Sequence, residues 1–307
     1  MPMPKMPAPT DAIADWPGWR LMHAVAARFV DWAAYTEGSS RSSALVRIGL
    51  AMLFWSRWAG ELLLYRDQSP VGLFLAVNFF VATALLFVGY HSRIAAVWAG
   101  LVGLAMYYYF GHQLGREPWT HHHIYLLAVA ALLIALTPCG RSYSLDRYLA
   151  VMRAGRTGVA PPVERGNLWG LRLIVVQLSV LYFFSAFDKS NYAFLSGARI
   201  EQIFLWYYAG SDYPAIPGLA WLATIVSFAV VALEYCLAFG LPFRRTRRYL
   251  VVPGLAFHAI IYLTLPVYTF SATMALLYLA YFDADAVDKI IARLQGNGLA
   301  GTARGMS

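Results

Sequence analysis

Lys189 stands near the end of an apolar run, LSVLYFFSAFDKSNYAFLSG (residues 178–197), where an ammonium group is hardest to solvate. At 100° per residue, Tyr182, Ser185 and Lys189 share one helix face. Burial disfavours the charged form of an amine, so a lysine held among aromatic rings is a candidate base. The same residue also reads as an anchor that snorkels out at the end of a membrane span. His121, His122 and His123 precede the run IYLLAVAALL. Consecutive helical positions diverge by 100°, whereas a helical zinc pair needs i, i+4 spacing, so no metal site is expected and one histidine should face the protein. Arg57 and Glu61 lie one turn apart as an intramembrane ion pair. His258, in VPGLAFHAIIYL, has Tyr262 one turn away, and Glu234 interrupts VVALEYCLAFG. An ionisable group inside a membrane span is a functional candidate, with a helix–helix hydrogen bond worth about 1 kcal/mol as the alternative. For His258 both remain open; for Glu234 the structural reading is preferred.

These groups need elements to carry them. The 307 residues are 60% hydrophobic and 13% charged, against about 45–50% and about 25% in soluble domains. That balance predicts an all-α, polytopic transmembrane helical bundle. Eight spans are expected, near 44–65, 71–90, 94–110, 122–138, 171–188, 219–241, 250–266 and 268–282. The last two are short enough to form a tight hairpin. No cleavable signal peptide is read: the segment WRLMHAVAARFVDWAAYTE carries Arg20, Arg28, Asp31 and Glu37 and reads as an amphipathic helix on a membrane face. Three parts are expected: a cytoplasmic N-terminal segment (1–42), a transmembrane domain (43–290) and a flexible cytoplasmic tail (291–307). Cys139 and Cys236 are far apart, which argues against a thiol–disulfide enzyme.

Charge orients the bundle. With eight spans, one face receives both termini and the connections after spans 2, 4 and 6, and so collects 17 of the 24 Lys and Arg, among them Arg244, Arg245, Arg247 and Arg248. The positive-inside rule places that face and both termini in the cytoplasm. The net charge of +8 is then topology, and no nucleic-acid partner is needed. The connection CGRSYSLDRYLAVMRAGRTGVAPPVERGNLWG (139–170) reads as an interfacial helix followed by a Pro/Gly-rich tether.

Several segments together resemble the vitamin K-dependent gamma-carboxylase family, whose membrane region is called the HTTM domain. YFFSAFDKSNYAFLSG resembles its Tyr-Phe run leading to a lysine, an aromatic residue and a glycine. HHHIYLLAVAALLIALTPCGRSYSLDRYL is similar to its histidine-containing span and trailing Ser-Leu-Asp. FHAIIYLTLPVYTFSATMALLYLAYF resembles its Phe-His segment, and GYHSRIAAV fits a loop of bacterial HTTM proteins. The likeness runs over roughly 43–290. Asp188 stands where the animal enzymes have a second lysine, and the large extramembrane domain that holds their protein substrate has no counterpart within these 307 residues.

The resemblance implies a reaction. In the carboxylases a reduced naphthoquinone is deprotonated by the lysine and reacts with oxygen. The strongly basic product removes a γ-proton from a glutamyl residue, and carbon dioxide traps the carbanion. Carried over, Lys189 is the catalytic base and His123 the histidine of the fourth span. His258, with Tyr182 and Tyr262, would line the quinone pocket, and Arg57 and Glu61 would be structural. The implied cofactor is vitamin K hydroquinone or menaquinol, with oxygen and carbon dioxide as co-substrates. Membrane lipids and a peptide or protein substrate are the implied partners. The expected location is a bacterial inner membrane, with the active-site side facing the periplasm or exterior. Two other classes stand beside this enzyme: a non-catalytic HTTM protein acting in maturation, export or immunity for a peptide, and, more remotely, a haem-linked quinol oxidoreductase using His123 and His258.

Overall fold

The computed structural model describes residues 17–64, 67–205, 218–283 and 285–294; the ends of the expected N-terminal segment and tail lie outside them. The architecture is helical. In chain order come α1 (Pro17–Ala34), α2 (Arg41–Leu64), α3 (Pro70–Val88), α4 (Ser92–Met106, continued by π-helix to Gln113), α5 (His122–Ile134), α6 (Leu145–Thr157) and α7 (Trp169–Lys189). They are followed by α8 (Tyr192–Leu195), α9 (Ala198–Phe204), α10 (Leu219–Gly240), α11 (Arg244–Thr264) and α12 (Tyr268–Leu277). A short antiparallel ribbon pairs β1 (Glu37–Ser39) with β2 (Arg165–Asn167).

Four of the described helices are long and apolar enough to cross a membrane: α3, α4 with its extension, α7 and α10. The other four expected spans differ for local reasons. α2 has 24 residues but carries Arg41, Arg47, Arg57 and Glu61. α11 opens on four arginines. α5 has 13 residues and α12 has 10. α5 does not need a lipid-length apolar surface because protein surrounds it: α2, α4, α7 and α12 all pack on it, and Ile124, Leu127, Ala128, Ala131 and Ile134 are fully buried. Ala95, Ala96 and Ala99 of α4 let that helix approach α5 closely, as small residues do where van der Waals packing drives association. α11 and α12 form a hairpin through Leu265 and Val267.

One end of the bundle is tied by polar contacts. Arg47 is fully buried, and its guanidinium donates to the carbonyl oxygens of Cys139 (3.1 Å), Phe87 (2.8 Å), Tyr143 (2.7 Å) and Leu86. The Leu86 and Phe87 carbonyls belong to the last turn of α3, where the helix dipole favours a cation. Asp146 receives the backbone N–H of His91 (2.8 Å) and Ser92 (2.9 Å), which binds the start of α4 to the start of α6. Glu164 bridges Arg41 and Arg147, Arg165 pairs with Asp285 (2.7 Å), and Arg247 donates to the Tyr281 carbonyl. The β-ribbon and the connections α3–α4, α5–α7 and α10–α11 therefore share this basic end with residues 281–288. α1 lies beside α7 with Leu21, Val25 and Phe29 exposed, the uncovered apolar stripe expected of an interfacial helix.

Candidate functional site

Lys189 sits where α7 breaks. Ser190 ends the helix, and the Asn191 side chain caps α8 by accepting the Phe194 N–H (3.0 Å). Gly197 (φ 84°) then turns the chain into α9. A side chain at Gly197 would be strained and would also strike the backbone of Thr224. Through this close approach, and the Thr224 hydroxyl donating to the Ser196 carbonyl (2.8 Å), α8 and α9 run on along α10.

This break leaves the lysine facing α10. Its Nζ lies 3.0 Å from both carboxylate oxygens of Glu234, about 22 Å of helix from Leu219 and about 9 Å from Gly240 at the basic end. Along α7 itself the lysine lies about 30 Å of helix from Trp169. α7 ends there, and the two following short helices continue the chain beside α10. Ser185, one turn below, completes the cluster. Its hydroxyl donates to Glu234 Oε1 (3.0 Å) and accepts from Lys189 Nζ. The Lys189 side chain is 28% exposed and that of Glu234 only 5%, so the amine has one open side and the carboxylate almost none. The Phe194 ring lies 6.0 Å from Nζ, within cation–π range.

One turn from Ser185, on the same face of α7, Tyr182 belongs to a second buried cluster. Its hydroxyl lies 2.6 Å from His258 Nε2 of α11 and 2.8 Å from the Tyr278 hydroxyl that follows α12. All three residues are buried. Gly254, one turn before His258, leaves room for Tyr278: a Cβ there would collide with the Tyr278 hydroxyl. His258 Nδ1 and the Ser271 hydroxyl are buried and have no hydrogen-bond partner among the described residues. A buried donor or acceptor left unpaired is costly, so polar atoms of this kind invite a ligand or water.

The other expected residues fall elsewhere. Tyr262 is exposed and packs edge-on against Tyr268, 5.2 Å between ring centres; it does not join His258. Arg57 and Glu61 pair at 3.4 Å, one turn apart on α2 and partly buried. His121 starts α5 and is exposed, and His123 lies in its first turn; the side chains of His122 and His123 lie outside the described residues. Among the described residues no group of three or more His, Cys, Asp or Glu could hold a metal. Two residues of the clusters were not anticipated in these roles. Glu234 had a signal, since an acid inside an apolar helix calls for a cation and the neighbouring span offers Lys189. Tyr278, one tyrosine among 20, had none.

Residues 71–285, more than half of the chain, match the family model of the HTTM domain. Comparison with curated proteins and with solved structures finds no match. With four membrane-length helices and this match, the chain belongs to the HTTM-domain family and is an integral membrane protein.

Proposed function

We propose that this HTTM protein is a membrane enzyme acting on a reduced naphthoquinone, with Lys189 as base, as its resemblance to the vitamin K-dependent gamma-carboxylases implies. One observation carries the reading: a partly exposed amine at a helix break, held from behind by a buried carboxylate and a hydroxyl. The residues present suit such a ligand. An amine beside a serine hydroxyl matches a phenolic O–H, and the unpaired His258 Nδ1 offers a further polar contact within the same helical bundle. When bound, the reduced naphthoquinone would supply the hydroxyl proton and the electrons that pass to oxygen, with carbon dioxide consumed if a glutamyl residue of a peptide is carboxylated.

The chain's own part is proton handling. Lys189 accepts the hydroxyl proton at Nζ, for which its nitrogen must first be uncharged. Glu234, at 3.0 Å through both oxygens, is where the lysine's own proton goes. Ser185 keeps the carboxylate aimed at Nζ through its bond to Oε1. Tyr182, locked by His258 and Tyr278, holds α7 in register with α11. By the same resemblance, His123 would stabilise the carbanion-side intermediates. By the positive-inside rule the basic end faces the cytoplasm of a bacterial cell and the opposite end the exterior.

The test is oxygen-dependent epoxide formation by purified protein supplied with menaquinol or vitamin K hydroquinone. Wild type makes the epoxide and Lys189→Ala does not. No epoxide from either, or equal amounts from both, overturns the reading. A second reading follows from the ion pair itself: both Glu234 oxygens engage Lys189, as a clamp fastening α7 to α10 would. In that case the protein is a non-catalytic factor in peptide maturation, export or immunity, and its cellular phenotype survives Lys189→Ala.

A further inference from the structure

A cavity of about 660 Å³ opens at the basic end, bounded by α1, α7, the end of α10 and the start of α11. Its walls divide by chemistry. On the bundle side Val176, Val180 and Phe239 form an apolar floor, and Val180 and Phe239 are exposed on membrane-length helices. At the basic end Arg28, Arg172, Arg244 and Arg247 line it, against the single carboxylate of Asp283.

The guanidiniums are unequally occupied. Arg247 donates to the carbonyl oxygens of Leu241 (2.9 Å), Pro242 (2.8 Å) and Tyr281, and Arg244 pairs with Asp283 at 3.3 Å. Arg172 lies over the Trp32 ring, 5.2 Å from its centre. Its Nε is buried with no hydrogen-bond partner among the described residues. A buried cationic donor without an acceptor costs free energy unless an anion completes it.

We infer that this groove binds one anionic glycerophospholipid from the bilayer, its phosphate between Arg28 and Arg172 and an acyl chain along Val176, Val180 and Phe239. Three features select this occupant. The charge is strongly positive at one end only, which matches an anionic headgroup. The apolar floor continues into the lipid-facing surface of α7 and α10, which a free phosphate would not use. α1 packs on α7 and brings both Arg28 and Trp32 to the mouth; basic pockets of this kind between membrane helices hold acidic lipid heads. The site is separate from Lys189 and does not depend on the quinol reading.

Native mass spectrometry of the full chain from mixed micelles of phosphatidylglycerol and phosphatidylcholine tests the inference. Wild type retains phosphatidylglycerol over phosphatidylcholine, and each of Arg28→Gln and Arg172→Gln lowers that preference by about fivefold. Arg28 lies on an exposed helix, so its substitution leaves folding intact, and retained phosphatidylcholine serves as an internal reference. Arg153→Gln with Arg156→Gln, exposed on α6 at the same end, leaves the preference unchanged. Equal retention of both lipids overturns the inference, as does a preference that falls as much with the α6 variants. Displacement of the phosphatidylglycerol by millimolar inorganic phosphate would show a free-anion site instead and would also overturn it.

Discussion

Removing the two partners of the Lys189–Glu234 pair one at a time should have unequal costs. Lys189→Met strands the Glu234 carboxylate, 5% exposed, with the Ser185 hydroxyl at 3.0 Å as its remaining contact within the pair's cluster. A buried charge that loses its counter-ion costs about 3–5 kcal/mol. Glu234→Gln strands the Lys189 ammonium instead, but that side chain is 28% exposed and can turn towards water or headgroups. Its loss is therefore discounted to about 1–2 kcal/mol. The double variant has no stranded charge and should be less destabilised than Lys189→Met alone, giving a coupling energy of about 2–4 kcal/mol. Reversible unfolding in mixed micelles with increasing dodecyl sulfate measures all three. Equal single losses that simply add in the double variant would refute both the burial difference and the pairing.

Tyr182→Phe removes the hydroxyl that meets both His258 and Tyr278 and should cost about 1–3 kcal/mol in the same unfolding measurement; a neutral result would contradict the buried cluster. Arg47→Met leaves four backbone carbonyls at the basic end without their donor and should destabilise by more than about 3 kcal/mol. The monodisperse fraction on size exclusion should fall sharply, with only partial recovery in Arg47→Lys. Outside the membrane, the Arg165 guanidinium hydrogen-bonded to Asp285 holds that carboxyl below the usual range. Because the folded value is depressed, its stabilisation is complete above about pH 4 and is lost as pH falls through the folded value. Asp285→Asn should lower the melting temperature across the neutral region and converge with wild type at low pH, so that the acid limb flattens.

Helical class and membrane residence were legible because apolar runs such as VGLFLAVNFFVATALLFV allow little else. The number of membrane-length helices was not. Hydropathy cannot tell a helix apolar towards lipid from one, like α5, apolar because protein surrounds it on several sides. Lys189, Ser185 and Tyr182 were legible as one face from helical spacing. The pairing of Lys189 with Glu234 was hidden, because it depends on how α7 and the short helices after Ser190–Asn191 pack along α10. Tyr262 illustrates the reverse: one turn from His258 in sequence, it is exposed and packs on Tyr268 instead. Pairings such as Tyr182 with Tyr278, 96 residues apart, arise from packing alone and leave no local trace.

Proton removal by Lys189 can be separated from every later step by working without oxygen. Anaerobic mixing of the protein with a naphthohydroquinone, followed by ultraviolet difference spectroscopy, reports the bound quinolate directly. Wild type should develop its red-shifted band in proportion to protein, while folded Lys189→Met binds the same quinol and leaves it neutral. The same band in both proteins would contradict the assignment of Lys189 as the base.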